Sequence, residues 1–487
     1  MQTNTQRFSF YVQAIFWMSL CLRVFFLFNH DLQAEEAYYW NYSVHLDFGY
    51  IDHPPLVAVL IKLSTTLFGL NEFAVRFPAL LCWGVAAFFQ YRWCEIIQKG
   101  SGKFSILLLS ILPFFFVDSC IITPDMPMFA AWSAGLYFLY RALCLREARA
   151  WYAVGISLGF GLLAKYSIGL IIIATGIFVL TNAERRRWLR RKEPYYAALI
   201  TLTLFSPVLY WNSLHNWASF AFQSTRRLQT HFSFSLQELI GWLILFLTPI
   251  GLIGLRKLFK HADNKALPPQ TITFLQIYTL VPLLVYTVYS CFFGTKFNWI
   301  GPGLLAILPW LAYLMYQKID VLRQWLNMTP LLIGTYTLIM FCISYGQPEF
   351  LNNMLFTKMV SWERLTKDLY QVAASQSTQK SRPVFMPLDL YGIASELNFY
   401  QTKQKKIQPN LEPYSVVQSG LMYGFWTNPA NLHGKTVVLI SPVKDRLEND
   451  PLIATTQPLS SIQSIWAVSQ GKESHTIRYY YQIVRML

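Results

Sequence analysis

Apolar residues in this chain run in long blocks, unlike the short alternating patterns of a soluble domain. A helix needs about 20 mainly apolar residues to cross a bilayer. Such blocks lie at 8–28, 73–91, 104–122, 125–140, 151–165, 168–182, 195–211, 238–255, 272–292, 299–316 and 329–345. The pattern predicts a mainly α, polytopic membrane protein with about eleven transmembrane helices. The pair 151–165 and 168–182 reads as two short helices or one long broken one. Residues 8–28 read as a retained first span, not a cleaved signal, because Arg23 interrupts the apolar core and further spans follow.

From residue 350 the pattern changes. The chain becomes polar, with short apolar runs such as "RPVFMPL" and "KTVVLIS" around the helically spaced "DLYGIASELNFYQ". This alternation predicts a small α/β domain over 350–487 beside a membrane domain over 1–349. The C-terminal part contains no phosphate-binding glycine motif, and the chain shows neither an internal repeat nor the paired interrupted helices of many transporters.

Composition supports the membrane reading: 54% of the 487 residues are hydrophobic and 13% are charged. Soluble domains carry about 25% charged residues. The formal net charge of +15 could suggest a nucleic-acid partner, but its distribution points to membrane orientation. With the N-terminus inside, all five inner loops are basic: Arg92, Lys99 and Lys103; Arg141, Arg146 and Arg149; "ERRRWLRRKE"; "RKLFKHADNK"; and Lys318 with Arg323. This is the positive-inside pattern, and an odd number of spans then places the C-terminal domain outside. The seven cysteines all lie in or beside apolar segments, with none after Cys342. They form neither a disulfide framework for the C-terminal domain nor a zinc-type cluster.

On this map the acid-rich stretch "DLQAEEAYYWNYSVHLDFGYIDHPPL" belongs to a first outer loop over 29–72. Glu35 and Glu36 stand at a helix start, about 100° apart around its axis. One can face a site while the other caps the helix; solvated acids on an interfacial helix are the plainer alternative. In "DHPPL", Pro54 and Pro55 hold Asp52 and His53 on a rigid turn. An Asp beside a His can bind a divalent cation or a phosphate, or Asp52 can simply cap a helix. Asp125, between two prolines in "TPDMP", is a buried functional acid or an N-terminal cap. Lys165, Arg226, Arg227 and Lys296 are cations on the side that the topology rule disfavours. They call for a phosphate, a neighbouring acid or lipid headgroups as partners. Carboxylates with outer-side cations suit a site that holds a lipid-linked phosphate while one carboxylate deprotonates an acceptor hydroxyl.

The stretch "EEAYYWNYSVHLDFGYIDHPPLVAVLIKLSTTLFGLNEFAVRFPALL" resembles the first loop of bacterial family 39 glycosyltransferases. These are relatives of the protein O-mannosyltransferases and the lipid A aminoarabinose transferase, in the GT-C class. "ITPDMPMFAAWSAGLYFLYRAL", "GLLAKYS", "WNSLHNWASFAFQ" and "FNWIGPGLLAILPWLA" are similar to later blocks of the family, in order. The resemblance implies an inverting transferase in the bacterial inner membrane, with its site and C-terminal domain periplasmic. Its donor would be a polyprenyl-phosphate sugar and its acceptor a lipid A, glycan or protein hydroxyl, with membrane lipids around it and no nucleic acid. The family's acidic pair maps onto Glu35 and Glu36, and its donor-phosphate or metal pair onto Asp52 and His53. A divalent cation is left open as cofactor. The usual first acid of the pair is Asp; here it is Glu35, one methylene longer. The rival readings are a transporter of lipid-linked sugars and a catalytically weakened envelope scaffold.

Overall fold

The computed structural model describes residues 2–226, 232–260, 267–345, 360–375, 384–404, 420–427, 429–469 and 472–487. All eleven apolar blocks coincide with helical stretches. Among the described residues, seven are long and apolar enough to cross a membrane: Phe10–Asn29, Glu72–Ile97, Glu193–Leu214, Leu236–Phe259, Pro269–Ser290, Phe297–Gln317 and Ile319–Cys342. The chain is a multi-pass membrane protein. It divides into two compact units, one of Met1–Phe25, Asp47–Leu60 and Arg76–Tyr336, the other of Phe26–Leu46, Ile61–Val75 and Thr337–Leu487.

In the first unit the block at 104–122 is not one helix. It breaks into Gly102–Ile111 and Pro113–Asp118, with Leu112 extended (φ −68°, ψ 133°). Pro113 has no N–H and disfavours helical backbone in the residue before it. The break leaves carbonyls unpaired at membrane depth, where no water can satisfy them. Side chains take over: Ser19 donates to the Ser110 carbonyl (2.7 Å), Tyr336 to Ile111 (2.6 Å), and Trp83 and Arg23 to Leu109 (3.1 Å each). Arg23, fully buried between the rings of Trp83 and Phe116, therefore serves the backbone of a broken helix.

Helices Ala150–Ala164 and Glu193–Leu214 meet at close range. Thr201 donates to the Gly155 carbonyl (3.0 Å), and a Cβ at Gly155 would stand 2.6 Å from the Ala197 carbonyl oxygen. Small residues at such crossings let backbones approach within a membrane. Gly155→Ala is expected to lower stability by about 1–3 kcal/mol, the usual cost of overpacking. Thermal unfolding in detergent checks this, and an unchanged midpoint would contradict the close approach.

The second unit carries the α/β structure. Strands β1 (Val384–Pro387), β2 (Thr436–Ser441), β3 (Thr456–Pro458), β4 (Gln463–Ser469) and β5 (Lys472–Met486) form one sheet. The order is β1-β2-β5-β3, with β4 also on β5; β1 and β2 are parallel and the other pairs antiparallel. One face packs on the helix Trp362–Ser375 through Leu365, Leu369, Phe385, Val438 and Ile483. "RPVFMPL" and "KTVVLIS" became β1 and β2, and "DLYGIASELNFYQ" became the helix Gly392–Lys403.

Near the start of the first loop, three carboxylates (Asp31, Glu72 and Glu363) bring oxygens within 4.8 Å of one another. Lys403 Nζ reaches Glu72 at 2.7 Å and Glu363 at 3.1 Å. Burial, then repulsion from Glu72, pushes the Asp31 carboxyl up to about 6. Burial opposes the charge on Lys403, but Glu72 and Glu363 outweigh it and raise its pKa. Because the folded pKa of Asp31 lies above the ordinary 3.8, its contribution is full below about pH 4 and is lost as pH rises through about 6. Asp31→Asn is therefore expected to flatten the stability profile between about pH 4 and pH 6. Unfolding midpoints across that range test this, and an unaltered profile counts against it.

Candidate active site

Three breaks in the helical pattern converge in the first unit. Asp125 opens the helix Asp125–Leu143 directly after Pro124, with the Thr123 hydroxyl accepting its N–H (3.3 Å). Lys165 stands in extended backbone (φ −159°, ψ 136°) between Ala150–Ala164 and the turn Tyr166–Ile168, which leads into Gly169–Leu180. The ambiguous apolar pair is thus two helices, broken at the lysine. Asn298 sits in the short turn Phe297–Trp299. Lys165 Nζ donates to both Asp125 oxygens, at 2.7 and 2.9 Å, and Asn298 Nδ2 donates to one of them at 2.7 Å. The Asp125 side chain is 3% exposed and that of Lys165 13%. The sequence alternatives for Asp125 resolve into a buried ion pair.

Lys165 also lines a cavity of about 270 Å³ with His53, Tyr166, Gln223, Tyr289 and Trp299. His53 reaches it from a turn closed by the Tyr50 N–H on its carbonyl (3.2 Å), after which Pro54 and Pro55 lead into Leu56–Phe68. The buried Asp52 anchors this turn, its main-chain carbonyl accepting from Gln223 Nε2. Tyr166 donates to or accepts from Ser219 (2.8 Å). The wall therefore combines one ammonium, an imidazole, an amide and aromatic rings, groups chemically able to meet an anion with an attached polar group.

Of the remaining cations singled out in the sequence, one is described with its side chain. Lys296 is exposed at the start of the Phe297–Trp299 turn and is not part of the cavity lining. Arg226 ends the turn Phe222–Arg226, its side chain outside the described residues, and Arg227 lies wholly outside them. Among the described residues, Asp52 and His53 belong to no three-member group of metal-ligating side chains. The one such group is Asp31, Glu72 and Glu363, whose charge Lys403 already meets.

In the second unit the helix Ala34–Val44 separates the two glutamates. Glu36 is fully buried and accepts the Gln33 N–H at 3.0 Å, closing the first turn as a capping carboxylate. Glu35, one residue earlier, is exposed. Asn298, Gln223, Tyr166, Tyr289 and Trp299 escaped sequence reasoning. The available signal was position: Asn298 lies two residues after a misplaced lysine and Gln223 follows an aromatic run.

Residues 52–211 match the family model described as dolichyl-phosphate-mannose-protein mannosyltransferase. Over nearly the whole chain the fold is of the GT-C type. ArnT from Cupriavidus metallidurans bound to undecaprenyl phosphate is similar with TM-score 0.64 and 15% identity, over 97% of both chains. The archaeal oligosaccharyltransferase AglB from Archaeoglobus fulgidus, in complex with an inhibitory peptide and a dolichol-phosphate, gives TM-score 0.52 at 12% identity. That match covers 90% of this chain and 69% of AglB. The lipid A galacturonosyltransferase RgtD of Rhizobium johnstonii is 24% identical over 192 residues, 38% of this chain. The match spans 39% of the length of RgtD.

Proposed function

We propose that this protein is an inverting glycosyltransferase. It moves a sugar from a polyprenyl-phosphate donor to a hydroxyl acceptor, with lipid A the favoured acceptor class, on the periplasmic side of the bacterial inner membrane. The observation that carries this reading is Lys165, held at a cavity wall by Asp125, which Asn298 braces in turn. A lysine already paired keeps its orientation while its remaining N–H can meet a phosphate oxygen.

In the reaction the acceptor oxygen attacks the anomeric carbon and the bond from that carbon to the phosphate oxygen breaks. The hydroxyl proton passes to Glu35, and the polyprenyl phosphate leaves with the electron pair. Lys165 and His53 stabilise the charge growing on the phosphate. A phosphate leaves without a strong general acid, so one carboxylate suffices where glycosidases need two. The similarity to ArnT bound to undecaprenyl phosphate and to RgtD supports this choice of donor and acceptor.

The test is purified protein in nanodiscs with a polyprenyl-phosphate sugar and lipid A, read by mass spectrometry. Lipid A gaining one sugar mass supports the reading. Movement of intact donor across sealed vesicles with no covalent product would overturn it.

A further inference from the structure

We infer that the C-terminal helix Gly392–Lys403 is the positioning partner of the first-loop helix Ala34–Val44, acting through Asn41 to fix Glu35. This rests on the transferase reading above. The loop helix has 11 residues, a length at which helices are marginal in water without packing. Glu35 itself is exposed, so its placement depends on what holds the rest of its helix.

That hold is specific and remote in sequence. Asn41 is fully buried. Its Nδ2 donates to the Ser395 carbonyl (3.3 Å), and its Oδ1 accepts from Asn398 Nδ2. The Leu32 N–H, just before the helix, donates to the Tyr400 hydroxyl at 2.7 Å. Trp40 sets its ring edge-on to Phe399, centroids 5.1 Å apart. Asn41 lies six residues beyond Glu35, about 9 Å along the axis and roughly 120° around it. The grip is thus on a different face and turn from the acid. Asn398 is accordingly a positioning residue, with no place in the bond-making chemistry.

The test compares Asn398→Ala and Tyr400→Phe in the full chain. In each, amide hydrogen exchange across residues 36–44 is expected to quicken at least 10-fold, while strand β2 keeps its protection. The kcat for transfer is expected to fall about 10-fold with the donor KM unchanged, because a 1 Å misplacement of a reacting group costs about 100-fold. In a Glu35→Gln background the same substitutions are expected to leave the residual rate unaltered. Unchanged exchange, loosening of the whole sheet domain, or faster exchange with an unaltered kcat would each overturn the inference. If the parent protein transfers no sugar, the transferase reading fails, and the exchange measurement still decides whether the grip exists.

Discussion

Replacing Glu35 by Gln is expected to lower the transfer rate by about 10²–10⁴-fold, the usual worth of a positioned general base, while the unfolding midpoint stays where it was. Stability is spared because Glu35 is exposed and makes no hydrogen bond among the described residues. Glu36→Gln has the opposite profile. It weakens the cap on the Gln33 N–H, costing about 1 kcal/mol, and leaves chemistry nearly intact. Glu35→Asp keeps the base but shortens its reach by a methylene, so its rate is expected between those of the parent and Glu35→Gln. Single-turnover rates with matched thermal unfolding separate the three. Full turnover by Glu35→Gln would remove Glu35 from the mechanism.

Asp125→Ala is expected to have the largest effect on stability. It strands the Lys165 ammonium in a site where the two side chains are 3% and 13% exposed. Losing one partner of a buried pair typically costs 3–5 kcal/mol, although the intact pair adds little over an apolar replacement. The double variant Asp125→Asn with Lys165→Met removes both charges and is expected to recover much of that loss, the non-additivity of a coupled pair. Equilibrium unfolding in detergent reads both. Asp125→Ala at parental stability would mean that the pair does not shape the cavity wall. The double variant is also expected to bind donor poorly, since its phosphate then meets no ammonium from residue 165.

The sequence showed where the apolar helices lie because hydrophobic length is a local property, although seven of the described helices, not eleven, are long and apolar enough to cross a membrane. It showed β1 and β2 for the same reason. It did not show that β5, "KESHTIRYYYQIVRM", is the strand to which β2, β3 and β4 all pair, since pairing depends on residues far along the chain. The break at Leu112 was missed although Pro113 marks it: prolines also occur within helices here, as at Pro78 and Pro207. At the site, Lys165 and Asp125 stood out as charges in apolar surroundings. That they neutralise each other across 40 positions was not legible, because nothing local records who meets a charge.

The bonds between Asn41 and the C-terminal helix join residues 354 and 357 positions apart. At about 5–20 residues per second of synthesis, the loop helix emerges tens of seconds before the segment that clasps it. During that interval the loop helix is without the two bonds that Asn41 makes to the C-terminal helix. A chain cut short by premature termination would therefore keep its cavity-lining residues yet lack the bonds that Ser395 and Asn398 make to Asn41.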